Sequence, residues 1–150
     1  MIIPINQKSG TTSTTYLLPL ATTFIVLFSL ILCPFSYAGL KNGMDADVVV
    51  GQPDFASNST TNPPRANTLG VPRGVYFDGK RLFIGDDDNN RVLIYNSIPS
   101  SNNASADVVI GQQNFSSNAI NQGGGPRANT LYAAIGVYSD GYKLITSFTK

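Results

Sequence analysis

The chain has 150 residues, ten Lys or Arg against nine acidic residues, and only 13% charged residues. It is of one domain's length, near neutrality and without a basic stripe, which excludes the electrostatic footprint of a nucleic-acid binder. It contains no His and no Glu, which removes imidazole bases, Ser-His-Asp and Cys-His systems and the usual nitrogen ligands of zinc.

The first predicted element is apolar. Lys8 is the only side-chain cation ahead of a run from Leu17 to Cys33 built of Leu, Ile, Val, Phe and Ala with a few Thr and Ser. Ser36-Tyr37-Ala38 then supplies small residues at the minus-three and minus-one positions of a processing site, so residues 1–38 read as a hydrophobic signal helix cleaved after Ala38. The alternative is an uncleaved anchor over residues 17–33, at the lower end of the roughly 17–25 residues that span a bilayer. Pro19 and Thr22-Thr23 favour cleavage, and Leu32 before Cys33 is not the small residue that a lipidation site wants. The expectation is therefore export, to a periplasmic, secreted or cell-surface location, with membrane contact only through an uncleaved N-terminal segment. Without residues 1–38 the nine remaining Lys and Arg (ten less Lys8) balance nine Asp, and the sole cysteine is gone. No disulfide then supports the mature chain, and its stability rests on burial.

From residue 46 the chain repeats itself. Ala46-Asp47-Val48-Val49-Val50-Gly51-Gln52 returns sixty positions on as Ala106-Asp107-Val108-Val109-Ile110-Gly111-Gln112. Pro64-Arg65-Ala66-Asn67-Thr68-Leu69 and Gly74-Val75-Tyr76 return sixty-two positions on, at Pro126 to Leu131 and Gly136 to Tyr138. Such spacing marks an internal structural repeat. Strands are predicted near Asp47–Gly51, Gly74–Phe77, Arg81–Ile84, Arg91–Tyr95, Asp107–Gly111, Ile135–Tyr138 and Lys143–Thr146, separated by Gly, Asn, Asp, Pro and Ser, with no helical stretch. Asp78-Gly79 and Asp140-Gly141 predict tight hairpins.

The strands are apolar on both faces, as in Val75 and Phe77 alternating with Tyr76, or Val92 and Ile94 with Leu93 and Tyr95. A sheet of that kind wants a packing partner on each side, which points to a stack or ring of small sheets. The run Val71-Pro72-Arg73-Gly74-Val75, Asp78-Gly79, Arg81 to Asp86, then Asn89-Asn90-Arg91 to Asn96 resembles an NHL repeat, a β-propeller blade family. The resemblance implies an all-β chain of antiparallel four-stranded blades: a blade end at 46–52, a full blade at 72–112 and a partial blade at 133–150, within an NHL-like fragment spanning 39–150. Propellers use typically four to eight blades. These pieces do not close such a ring, so the sequence reads as a truncated product of a longer gene, or else other chains complete it. Its open apolar faces predict self-association and marginal stability.

In an antiparallel blade the Asp86-Asp87-Asp88-Asn89-Asn90 turn and the crossings Pro53–Gly70 and Gln113–Ala133 share one end. The crossings, of 18 and 21 residues, exceed the roughly 12–15 above which structureless loops are uncommon and often functional. Asp87, Asp88, Arg65 and Arg127 are the ligand-contact candidates on that face. A structural role competes for this segment, with Leu69 and Leu131 plugging the gap between blades and Arg65 and Arg127 capping local carbonyls. Asp86, Asp88 and Asn90 begin like a calcium loop, but Arg91 stands at the sixth position and Ser97 at the twelfth, where Gly and Glu belong. No metal or other cofactor is expected. The family resemblance implies instead that Asp86 pairs with Arg91 across the turn, while Asn89 and Asn90 supply left-handed turn geometry. Gly123-Gly124-Gly125 is followed by Pro126-Arg127 and lacks the Lys of a phosphate loop. Asn58, Asn103 and Asn114 begin glycosylation triplets that matter only in a eukaryotic source.

The functional expectation is an exported, non-catalytic binding module engaging a protein, glycan or small ligand through its loop face. The alternatives are a repetitive envelope or adhesion scaffold, and a piece of a propeller enzyme whose catalytic residues lie in missing blades.

Overall fold

The computed structural model describes residues 39–148. Residues 1–38, over which a signal segment is expected, lie outside the described residues. The chain divides after Met44 into two units, and the fold belongs to the second, from Asp45 onward. Of the first unit only residues 39–44 are described, a turn in which the Met44 amide donates to the Lys41 carbonyl. Among the described residues no helix is long and apolar enough to cross a membrane.

The described chain is all-β apart from a single 3₁₀ turn at Ile120–Gly123. Strands β1 (Pro72–Phe77), β2 (Leu82–Asp86), β3 (Arg91–Tyr95) and β4 (Val108–Ile110) form an antiparallel sheet in sequential order, and β5 (Ala134–Ser139) pairs with β6 (Leu144–Phe148) in a separate hairpin. β-Branched and aromatic residues fill these segments, and Gly and Asp punctuate them, which is why the short runs extend and then turn.

The register divides the four-stranded sheet into two faces. Val75 sits opposite Ile84 and Phe77 opposite Leu82 on one face, and Tyr76 opposite Phe83 on the other. The first face carries a core of Leu69, Ile84, Leu93, Tyr95 and Ala106, with Val50 and Leu82 packed on it. The second carries Phe83 and Val92, closed over by Leu131 and Ala134 with Val137 and Leu144 from the hairpin. The second face is thus closed by the hairpin, while the first is covered only in part and leaves Val75 65% exposed. Gly74 and Gly85 allow the close approach of the hairpin. A methyl group at Gly74 would overlap the Ile135 carbonyl oxygen, and one at Gly85 would lie 2.8 Å from that of Ala134.

The two copies of the repeat are folded alike. Both leading strands carry an irregularity at the same place, between Pro72 and Gly74 and between Ala134 and Gly136. The Thr68 hydroxyl accepts from the Arg65 amide at 2.9 Å, and the Thr130 hydroxyl from the Arg127 amide at 2.8 Å. Gly51 and Gly111, at φ +87° and +91°, lie against Leu69 and Leu131, so a side chain at either glycine would be strained and would strike leucine.

Three expectations are corrected. Residues 46–52 form no strand, although their twin segment contains β4. β4 pairs with β3, whereas Val49 meets a loop: its amide donates to Asn102 Oδ1 at 2.9 Å and its carbonyl accepts from the Asn103 amide. The Asp-Gly pairs do close the β1–β2 and β5–β6 hairpins as expected, but not as the two central residues of the turn. Asp78 begins a four-residue loop, its Oδ1 accepting from the amides of Lys80 and Arg81 at 2.9 and 2.6 Å, and Asp140 does the same for Tyr142 and Lys143. These amide donors, Arg81 for Asp78 and Lys143 for Asp140 foremost, hold both carboxyls below the usual aspartate value. Third, of the two turn asparagines only Asn90 is left-handed, at φ 50°.

Tyr95 is buried in the first core with its hydroxyl lacking a hydrogen-bond partner among the described residues. Burial pushes its pKa up to about 12, against the pull of Arg91 and with a small push from Asp86 and Asp107. A raised phenol pKa leaves stability untouched below pH 10 and removes it as pH climbs from about 10 through 12. Tyr95→Phe is expected to raise stability by about 1 kcal/mol at neutral pH by deleting an unpaired polar atom, and to flatten the alkaline limb. Urea midpoints at pH 7 and pH 11 check both.

Candidate functional site

The end of the molecule that carries the β2–β3 turn and the two long crossings is organised around one fully buried ion pair. Asp86 ends β2 and Arg91 begins β3, directly opposite in register, with Arg91 Nε 2.9 Å from Asp86 Oδ2 and neither side chain exposed. A buried charge pair is tolerated only when its remaining donors and acceptors are satisfied. Asp86 Oδ1 accepts from the Gly70 amide at 2.8 Å, and Oδ2 also accepts from Asn89 Nδ2 at 2.8 Å. Arg91 Nη1 donates to the Phe115 carbonyl at 2.6 Å, while Nη2 donates to the carbonyls of Arg65 at 3.1 Å and Thr68 at 2.8 Å. The planar fork of one guanidinium therefore holds both crossings to the turn, which an ammonium could not do.

Two amide side chains extend the network into the second crossing. Asn90 donates through Nδ2 to the Asn118 carbonyl at 2.9 Å and accepts through Oδ1 from the Ala133 amide at 2.9 Å. Gln112 Nε2 reaches the carbonyls of Asn90 at 3.0 Å and Ala119 at 2.9 Å. Gln52, its counterpart sixty residues earlier, makes the matching bond to the Ser59 carbonyl at 3.0 Å. The Gly-Gln pair closing each repeated segment was visible in the sequence, but its task of pinning the following crossing was not assigned.

The four ligand-contact candidates separate. Arg65 and Arg127 are exposed, and neither side chain forms an ion pair among the described residues. The carbonyl cap proposed for Arg65 is supplied by Arg91 instead. Asp88 is exposed. Asp87 is mostly covered, bound to Arg73, whose Nε donates to its Oδ2; it is a bracing residue of the turn and leaves Asp88 as the free carboxylate there. Arg127 borders a depression of about 240 Å³ formed with Gln113, Asn121, Gln122, Asn129 and the Gly123–Gly125 main chain. Asn121 and Gln122 are both left-handed at φ 48° and 57°, a conformation costing non-glycine residues about 1–3 kcal/mol each. Gln122 Nε2 offsets part of that cost by bonding the Asn129 carbonyl at 2.8 Å. The depression is thus lined by a cation and neutral polar groups, suited to a polar ligand.

Sequence reasoning missed a second cleft, at the opposite end. It has a volume of about 530 Å³ and is lined by Asp78, Lys80, Arg81, Asn96, Gly141 and Tyr142. Arg81 joins the two copies there: its Nε donates to Asp78 Oδ2 at 2.9 Å, its Nη2 to the Gly141 carbonyl at 2.7 Å, and its guanidinium lies over the Phe83 ring at 5.3 Å. The signal was an arginine two residues after an Asp-Gly pair in a chain that repeats. Among the described residues no cluster of three or more His, Cys, Asp or Glu side chains could hold a metal.

Comparison of the chain with protein-family models gives no matching family, and neither the curated proteins nor the solved structures include a match.

Proposed function

We propose that this chain is an exported β-propeller fragment of the NHL type, and that it works without catalysis as a binding module whose ligand, a protein, glycan or small polar molecule, docks on the end bearing the crossings. The observation that carries this reading is the way the crossings are held. Their main chain is tied to the buried Asp86–Arg91 pair, while Arg65, Asp88 and Arg127 face outward. Long loops fixed on a rigid base are a common vehicle for recognition. The face-to-face packing of two like-folded copies supports the propeller reading, and the signal layout of residues 1–38 supports export.

The test is a glycan and peptide array probed with the full chain and with the variant carrying Arg65→Ala, Asp88→Ala and Arg127→Ala, Asp87 being left in place as the brace of the turn. Saturable binding lost in the variant is the expected result. Binding that survives all three changes, or no saturable signal on either array, overturns the assignment.

A further inference from the structure

The contact between the two copies has a direction, and the chain carries both halves of it a second time. On the inside, the first copy offers Tyr76 and Phe83, and the second copy covers them with Val137 and Leu144. Tyr76 also meets Tyr138 with ring centroids 5.0 Å apart. A shift of 62 residues turns Tyr76 and Phe83 into Tyr138 and Ile145, and turns Val75 and Leu82 into Val137 and Leu144. The second copy thus presents outward the counterparts of Tyr76 and Phe83, and the first copy those of Val137 and Leu144; Leu131, which also closes the internal contact, has as its counterpart Leu69, buried in the first core. Both outward sets are open: Ile145 is 61% exposed and Val75 is 65% exposed. Pairing supports this division, with Tyr138 opposite Ile145 on the outward side of the hairpin, and Val75 opposite Ile84 on the far side of the sheet.

We propose that a second copy of this chain occupies this face, seating Val75 and Leu82 on Tyr138 and Ile145 of the first in the geometry of the internal contact. The polar part of that contact carries over as well. Arg81, which reaches the Gly141 carbonyl inside the chain, has Lys143 as its counterpart, and Gly141 has Gly79; both counterparts are exposed. Gly74, needed for close approach, has Gly136 as its counterpart. Beside Ile145 for Phe83 and Lys143 for Arg81, three positions differ: Ser147 replaces Gly85, where a Cβ would come within 2.8 Å of a carbonyl oxygen, Phe77 stands where the second copy has Ser139, and Pro72 where it has Ala134. The intermolecular seat is therefore wider than the internal one, and the association weaker. Unlike patches meet in this contact, so it is heterologous: it closes into a ring where the rotation per copy allows, and otherwise leaves a free seat at each end of the assembly. The inference stands on the copy-to-copy packing alone and is independent of what the crossings bind.

Sedimentation velocity of the full chain in mild detergent, over a concentration series, tests it. The wild type is expected to associate, as a ladder of open oligomers or as one closed ring. Val75→Asp and Ile145→Asp each place a charge in the apolar seat and are expected to weaken association about tenfold or more. Mixed together, the two variants retain one intact seat between them and are expected to form a 1:1 dimer that grows no further. Circular dichroism confirms that each variant keeps its β-sheet, and Val75→Ser with Ile145→Ser are the substitutes if either aspartate unfolds the chain. A monomeric wild type overturns the proposal, as does binding only to a different protein. So does association that persists in either variant alone, which residues 17–33 or a symmetric contact would produce, and so does a mixture that stays monomeric.

Discussion

Replacing Arg91 with methionine is expected to lower unfolding stability by about 3–5 kcal/mol, because it strands a buried carboxylate. Asp86 would keep only the Gly70 amide and Asn89 as donors, and the carbonyls of Arg65, Thr68 and Phe115 would lose their shared partner. At the low end of the about 5–15 kcal/mol of a typical domain, the loss is enough to populate the unfolded chain at room temperature. A urea titration followed by circular dichroism gives the size. Hydrogen exchange gives the location, with the crossings opening before the β1–β3 ladders. Arg91→Lys is expected to recover little, since a point charge cannot serve four acceptors in one plane. The double variant Asp86→Leu/Arg91→Met is expected to be more stable than Arg91→Met alone, because it removes both charges. If Arg91→Met unfolds at the wild-type midpoint, the pair does not organise this end of the molecule.

Gly74→Ala is expected to be the most damaging small substitution in the sheet. The added methyl falls on the main-chain carbonyl of Ile135, and no flexible side-chain tip is available to move aside. Relief requires β1 to separate from β5, opening the core of Phe83, Val92, Leu131 and Ala134. Overpacking of this kind costs about 1–3 kcal/mol, and the upper end is expected here because the obstacle is backbone. Gly79→Ala provides the contrast. Nothing lies near its Cβ, so it pays only for its φ of +94°. Thermal unfolding of the two variants side by side separates steric from conformational cost. Equal losses would show that the close approach of β1 and β5 is not a constraint.

The strands were legible because each is a short apolar run ended by Asp, Gly or Asn, and the antiparallel order followed from the brevity of the connections. Residues 46–52 show the limit of that reasoning. They match 106–112 almost residue for residue, yet only the second segment lies beside a strand that can complete its ladder. Strand character is a property of a pair, and the repeat described only one member. At the site, the residue types of the turn pointed to an Asp86–Arg91 pairing through a family resemblance. The remaining reach of Arg91 was not readable, because its other acceptors are main-chain carbonyls that any residue could provide. Asp87 was read as a free carboxylate for a related reason: its partner Arg73 lies fourteen residues away, across a register that the sequence does not print.

The same anonymity of acceptors sets how this end of the molecule can change. Arg91, Asn90 and Gln112 grip the crossings at Arg65, Thr68, Phe115, Asn118, Ala119 and Ala133 only through carbonyl oxygens and one amide. Side chains at Arg65, Asn118 and Ala119 can therefore be exchanged without loosening these anchors, whereas Thr68 also holds the Arg65 turn through its hydroxyl, Phe115 packs on the core and Ala133 sits at φ 50°. Mutation can redraw what the surface displays while the clamp beneath it stays the same.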